Sequence, residues 1–343
     1  MISKIGLVGC GTVGSGLLEL LDKRADYIAA KYGVSFKLVF ATDVMRGTAF
    51  SKEGLNPRSL LAILESGGSI DSLSPKSAPN NLVSLLGEAK PGIICEATPT
   101  NYKTGEPGMS IMTAALARGV SVATSSKGAL ALDMAGLKEL AASKGASLRF
   151  ESSVMSGTPL LSLARGPMAG CEITRAEGIL NGTTNFILTK MESGMDYSEA
   201  LAEATRLGYA EADPTGDVEG FDAAVKVCIL SAEFFGKPMR MEEVRRTGIT
   251  GITREDIKRA AASGGRIKLI AGVKKEGDSV TGYVSPEIVG SDNPLVSVSG
   301  ATNAVNITTD NLGVVTIVGP GAGKIETAQG LLSDMLNIAR GQL

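Results

Sequence analysis

Histidine is absent from this chain, and so is tryptophan. Without histidine there is no Ser-His-Asp or Cys-His catalysis, no histidine-ligated metal and none of the commonest general base. Acid–base work must fall to Lys, Asp, Glu, Tyr or Cys. The four cysteines, Cys10, Cys95, Cys171 and Cys228, stand far apart with no CxxC pair. The spacing of a structural zinc site is missing, and reduced, mostly buried thiols are expected. No run of about 18 apolar residues occurs, which leaves no candidate transmembrane helix. Neither charge sign dominates: the net charge is −2 and no basic stripe stands out, so nucleic acid is a poor partner. Met1-Ile-Ser-Lys4 runs straight into a strand-like segment. No signal peptide is expected there, and the cytoplasm is the expected compartment.

What the chain has in excess is glycine, 43 of 343 residues against a usual ~7 %. No Gly-X-Y period accompanies it, so the surplus points to tight turns and close backbone approaches rather than collagen. With 43 % hydrophobic residues a sizeable core can form, and at roughly 100–200 residues per domain the length suggests two domains.

The first half alternates strands and helices. Strand-like runs fall at residues 5–8, 36–41, 92–96, 120–123 and 147–150, with helical spacing over 13–21, 109–117 and 134–142. Such alternation implies βαβ units in a doubly wound, Rossmann-type sheet. Gly9-Cys-Gly11-Thr-Val-Gly14 sits between the first strand and the first helix, the setting a dinucleotide loop requires. Gly9 permits the tight turn, Gly11 lets a pyrophosphate approach the backbone, and Gly14 lets helix and strand pack closely. Asp43 closes the second strand and would accept from ribose hydroxyls, favouring NAD. Arg46, three residues on, would pair with a 2′-phosphate, favouring NADP. The alternatives stay open. The Ser-, Pro- and Asn-rich stretch 47–90 reads as a surface insertion with short helices over 58–64 and 82–86.

The second half carries a carboxylate–lysine cluster. In Gly208-Tyr-Ala-Glu211-Ala-Asp213-Pro-Thr-Gly-Asp217-Val-Glu219-Gly-Phe-Asp222-Ala-Ala-Val-Lys226, five acids precede one lysine. A helix from about residue 218 places Asp222 and Lys226 at i and i+4, on one face. Its other residues are almost all apolar, so the lysine is expected to be semi-buried beside a carboxylate partner. Lys127 stands just past a predicted strand, where open α/β sheets border the ligand crevice. In a chain without histidine, two lysines facing one cleft are natural acid–base groups. Strand-like runs over 173–179, 267–273, 280–284, 303–308 and 314–318 predict a mixed sheet in an α+β second domain. Helices are expected from Phe186, from the capping-box-like Asp196-Tyr-Ser-Glu199 and from Thr253-Arg-Glu-Asp256. A last helix over 327–339 is expected to pack back on the first domain.

At this point the chain resembles the homoserine dehydrogenases. The carrying motifs are Gly178-Ile-Leu-Asn-Gly-Thr-Thr-Asn-Phe-Ile-Leu188 and residues 208–230, GYAEADPTGDVEGFDAAVKVCIL. The glycine loop, Lys127, Glu151-Ser-Ser-Val-Met-Ser-Gly-Thr-Pro159 and the glycines at 319–323 add support. The resemblance implies NAD(P)-dependent interconversion of L-homoserine and L-aspartate 4-semialdehyde, on the branch towards threonine and methionine. It implies Lys226 and Lys127 as the acid–base pair, with Asp222 orienting Lys226. Glu211 and Asp217 would hold the substrate's ammonium and hydroxyl ends, and Asn181, Gly182 and Thr183 its carboxylate. Gly9, Gly11, Thr12, Val13, Gly14, Asp43, Arg46, Thr98, Lys127 and Gly323 would line NADP or NAD. A monovalent cation such as sodium would sit on Glu151, Val154, Ser156 and Thr158, although Ser156 and Thr158 depart from the family's usual small residues. Thr-Ser-Ser before Lys127 departs too.

The resemblance further implies a monofunctional chain without an ACT domain, a homodimer, a small-molecule substrate, and neither nucleic acid nor membrane as partner. Residues 1–135 with 312–343 are expected to form the dinucleotide-binding domain, and 136–311 the substrate-binding and dimerisation domain. Two rival readings are an aspartate-semialdehyde dehydrogenase-like enzyme, which needs a nucleophilic cysteine with a basic partner, and a non-catalytic dinucleotide-binding regulator, which would be expected to lack Lys226 or Asp222.

Overall fold

The computed structural model describes residues 1–75, 79 and 81–342. The chain divides into two compact units, Met1–Pro159 with Ala322–Leu343, and Leu160–Gly321.

The first unit opens with β1 (Ile2–Val8), whose inner half is wholly buried. Helix α1 (Thr12–Lys23) follows and turns Leu17, Leu18, Leu20 and Leu21 inward. The connection to the second strand is filled by α2 (Ala25–Tyr32), closed by Gly33 at φ +68°. Then come β2 (Ser35–Asp43) and β3 (Gly47–Phe50). Helices α3 (Pro57–Glu65) and α4 (Leu82–Ala89) are started by the side chains of Asn56 and Asn81, which accept from Ser59 N and Ser84 N. They match the short helices expected in the 47–90 insertion; residues 76–78 and 80 of that insertion lie outside the described residues. Next are β4 (Ile93–Glu96), α5 (Gly108–Leu116), β5 (Ser121–Thr124), α6 (Gly128–Ser143), β6 (Leu148–Arg149) and α7 (Ser152–Met155).

The six strands run in the order β3-β2-β1-β4-β5-β6, all parallel except β3 against β2. From β1 the chain winds to one side through β2 and to the other through β4. The β1/β4 boundary is therefore the switch point where such sheets bind ligands. A final helix, Lys324–Ala339, completes this unit as expected. Its Ala328, Leu331, Leu332 and Met335 share one apolar cluster with Ile5 and Leu7 of β1 and Leu17 and Leu18 of α1. Gly16 has no side chain to hold that helix off: a Cβ there would collide with the Lys324 carbonyl.

The second unit holds α8 (Leu161–Arg165), β7 (Ile173–Ile179), α9 (Gly182–Glu192), α10 (Tyr197–Arg206), α11 (Thr215–Val218), α12 (Phe221–Phe235), β8 (Arg245–Arg246), α13 (Arg254–Ala262), β9 (Arg266–Glu276), β10 (Ser279–Val289), β11 (Thr302–Thr309) and β12 (Gly313–Pro320); the closing helix is α14. Its sheet runs β12-β11-β7-β9-β10-β8 and is antiparallel except for the β10/β8 pair. Helices α9, α12 and α13 pack on its strands. Capping boxes start α10 at Asp196 and α13 at Thr253, where polar residues three apart marked helix starts.

Three local features differ from the sequence expectation. The helix expected from about residue 218 is broken by Gly220 at φ +77°, so α11 and α12 are separate. Helix α9 begins at Gly182 rather than near 186, because the Asn181 side chain caps it. Residues 136–159 group with the first unit, since 148–149 form its sixth strand, and β12 groups with the second, since it pairs along β11.

Candidate active site

In the first unit the glycine loop has the shape its spacing predicts. Gly9 adopts φ +93°, and a Cβ there would lie 2.5 Å from the Ala97 carbonyl oxygen. A Cβ on Gly14 would collide with the Gly9 carbonyl, whereas one on Gly11 would meet nothing within 4 Å. Two glycines are thus required by packing, and the third leaves open space for a ligand to approach the backbone. Helix α1 starts directly above, at Thr12 and Val13, with no capping side chain and no acid in its first turn. Its first N–H groups are available to an anion. The loop therefore fits a dinucleotide pyrophosphate.

The other cofactor candidates lie on strand-end loops or at a helix start. Asp43 ends β2 and accepts from Cys10 N at 2.8 Å, Met45 N at 2.9 Å and Arg46 N at 3.2 Å. Arg46 donates to the Gly67 carbonyl at 2.6 Å. Both residues proposed to sense the ribose are thus already tied into the fold. Thr98 follows β4 and Lys127 follows β5, where it precedes α6 and donates its N–H to Thr100 Oγ1 at 3.3 Å. Gly323, at φ +137°, precedes α14; a Cβ there would collide with the Glu326 carboxylate. The segment carrying Glu151, Val154, Ser156 and Thr158 is buried. Glu151 N donates to Asp334 Oδ2 at 2.8 Å, and Ser156 takes a left-handed φ of +55°, which disfavours a side chain. Among the described residues no group of three or more Cys, Asp or Glu is arranged to hold a metal ion.

In the second unit the carboxylate–lysine cluster closes into a buried network. Lys226 Nζ lies 2.7 Å from Asp222 Oδ2 and donates to the Leu180 carbonyl at 2.6 Å. Its side chain is 7 % exposed, so this is not a solvated surface pair. Asn181 is the hub. Its Oδ1 accepts from Thr184 N at 2.9 Å, capping α9, and its Nδ2 donates to Asp217 Oδ1 at 2.7 Å and Asp222 Oδ2 at 3.1 Å. Burial pushes the Asp217 carboxyl above the ordinary value of 3.8. The Asp222 charge adds to that rise, while the Asn181 hydrogen bond and Lys226 oppose it. Gly182 passes close to Ala301, whose carbonyl oxygen a Cβ would meet at 2.7 Å. Thr183 Oγ1 donates to the Tyr209 carbonyl at 2.7 Å. Glu211 stands apart from the network, exposed in the loop between α10 and α11.

Asp217, Asp222, Lys226 and Asn181 are therefore brought together, and Glu211 is not. Sequence reasoning missed the Leu180 carbonyl as a lysine partner and Glu96 as a buried acid at the end of β4. The signal for Glu96 was one charge closing an otherwise apolar strand, Ile93-Ile-Cys-Glu96.

A doubly wound sheet with a glycine loop at its first strand, joined in one chain to a buried carboxylate–lysine network, defines the class of nicotinamide-dinucleotide oxidoreductases. A sequence model of homoserine dehydrogenase matches residues 159–336, and one of the homoserine dehydrogenase NAD-binding domain matches 9–151. The chain is 42 % identical over 341 residues to an NAD(+)-dependent homoserine dehydrogenase of Pseudomonas canavaninivorans, covering 98 % of this chain and 96 % of that one. The crystal structure of an Archaeoglobus fulgidus protein assigned as a homoserine dehydrogenase superposes with a TM-score of 0.87 at 37 % identity, over 98 % of this chain and 99 % of that one. A hyperthermophilic archaeal homoserine dehydrogenase in complex with NADPH superposes with a TM-score of 0.84 at 32 % identity, over 100 % and 99 %. The chain belongs to the homoserine dehydrogenase family, whose NAD(P)-dependent activity interconverts L-homoserine and L-aspartate 4-semialdehyde.

Proposed function

We propose that Lys226 supplies and removes the proton at the substrate's reacting oxygen, with Lys127 as the second acid–base group and a cofactor contact. The observation that carries this reading is the burial of Lys226 with its ammonium held between Asp222 and the Leu180 carbonyl. Bound nicotinamide supplies or accepts the hydride. As the carbonyl oxygen becomes alkoxide-like, a fixed ammonium stabilises the charge and donates a proton. Asp222 orients the ammonium. Asp217 and Glu211 take the substrate's polar ends, and Asn181, Gly182 and Thr183, at the start of α9, receive its carboxylate. One cation beside two carboxylates suits a substrate that carries an ammonium. Gly9, Gly11, Thr12, Val13, Gly14, Asp43, Arg46, Thr98 and Gly323 receive the dinucleotide.

The first unit binds the dinucleotide, and the second binds substrate and pairs with a second copy. Exposed Val314 and Val318 on the rim strand β12 support that pairing. A monovalent cation sits on the Glu151 carboxylate and the carbonyls of Val154, Ser156 and Thr158; hard oxygen ligands suit it. No helix among the described residues is long and apolar enough to cross a membrane; the location that goes with this reading is the cytoplasm.

The test is oxidation of homoserine with NAD and with NADP, followed by nicotinamide absorbance, for wild type and Lys226→Ala. The variant should lose a factor of about 10²–10⁴ in kcat, with cofactor dissociation constants nearly unchanged. Near-normal turnover would remove Lys226 from the chemistry.

A further inference from the structure

Glu96 is fully buried at the C-terminal end of β4, beside the β1/β4 switch point. An acid in that position needs donors, and its carboxylate collects them from the loop after β4 and from the end of β5. Oε1 accepts from the Thr98 N–H at 2.9 Å and also from the Thr98 hydroxyl, while Oε2 accepts from the Thr124 hydroxyl. Thr124 Oγ1 in turn accepts from Ser126 N at 2.9 Å, the residue before Lys127. The N–H of Lys127 donates to Thr100 Oγ1 at 3.3 Å, which closes the ring of contacts back to the loop after β4. That loop also forms the wall against which Gly9 turns, since a Cβ on Gly9 would meet Ala97 O at 2.5 Å and Thr98 N at 2.9 Å. Glu96 thus holds the 97–100 loop directly and the 125–127 loop through Thr124, and the 97–100 loop in turn abuts the glycine loop.

We infer that Glu96 is a positioning residue for the dinucleotide, setting the Thr98 and Lys127 loops without itself touching the ligand. This rests on the reading of the first unit as the cofactor-binding unit. A purely structural role fits the energetics poorly. Burial raises the Glu96 carboxyl above its ordinary value of 4.5 against the opposing pull of Thr124, Thr98 and Ser126. An ionised carboxylate there costs stability, so a neutral residue of the same shape trades relief of that cost against a lost hydrogen bond. What only the carboxylate provides is two acceptor oxygens, one aimed at the loop after β4 and one at the last residue of β5. In Glu96→Gln the amide nitrogen cannot accept. Turned towards Thr98 it meets two donors, and turned towards Thr124 it leaves that hydroxyl's proton without its acceptor.

The test compares wild type, Glu96→Gln, Thr124→Val and the double variant, with NADH and NADPH titrated into each full-length protein. Glu96→Gln should weaken dinucleotide binding roughly tenfold, the scale of one lost hydrogen bond to a charged group. KM for homoserine should stay within about twofold and Tm close to wild type. Thr124→Val should weaken binding in the same direction, and the double variant should lose little more than the worse single one, because both cut one network. Should Glu96→Gln fold poorly, Thr124→Val alone carries the comparison. Unchanged dinucleotide affinity in folded variants would overturn the inference, as would Tm, cofactor affinity and homoserine KM all worsening together. Wild type that bound neither dinucleotide would overturn the cofactor reading as well, whereas normal wild-type binding with indifferent variants removes only the role of Glu96.

Discussion

Asp217 and Asp222 sit within reach of one amide, Asn181, yet the proposed division of labour gives them and Glu211 different tasks. Asp222 grips the Lys226 ammonium from one turn away on α12. Glu211 is exposed on a loop, where a contact made only with substrate acts equally in ground and transition states. Glu211→Gln should therefore raise KM for homoserine more than it lowers kcat, and Asp222→Asn should do the reverse. Steady-state kinetics on the two variants decides it, and the opposite pattern would exchange the roles. Asp217 gives a second measurement, independent of activity. Its native carboxyl holds a proton more tightly than in the unfolded chain. Protonation thus favours the folded state, and that contribution is lost as pH rises through the raised native value. Asp217→Asn keeps the acceptor for Asn181 and removes the charge. Its melting temperature should gain on wild type as pH rises from about 4 and level off above the raised native value; a gap independent of pH would contradict the assignment.

Among the elements, the glycine loop was the most legible, because each glycine answers to a separate geometric demand. Gly14→Ala places a Cβ against the Gly9 carbonyl, so it should abolish dinucleotide binding in an equilibrium titration before it affects the second unit. The α12 pair was legible for a related reason: an isolated lysine in an apolar helix has few places to go but a buried partner. Short or capped elements were not. β3 is four residues long and earns its place only by pairing with β2, which no local pattern announces. The start of α9 depends on Asn181 spending its Oδ1 on Thr184 and its Nδ2 on two acids 36 and 41 residues away. The cap belongs to local sequence, but the network belongs to tertiary packing. Glu96 was overlooked for the same reason, since the hydroxyls that make it tolerable lie on the next loop and on the next strand.

Over the whole molecule, the second sheet leaves β12 at one rim, with Val314 at 56 % and Val318 at 55 % exposure. Such a rim needs cover. Light scattering at micromolar concentration should report a dimer, and Val318→Asp should shift it towards monomer; a wild-type monomer would remove the pairing from the reading.

The first unit is also assembled from both ends of the chain. Helix α1 is made early, but Ala328, Leu331, Leu332 and Met335, which complete its apolar cluster, lie on α14. At roughly 5–20 residues per second, the ribosome leaves that stripe of leucines without its partner helix for about 15–60 s. During synthesis the second unit is complete before the first, and the vulnerable surface of the nascent chain is the half-built dinucleotide unit waiting for its last helix.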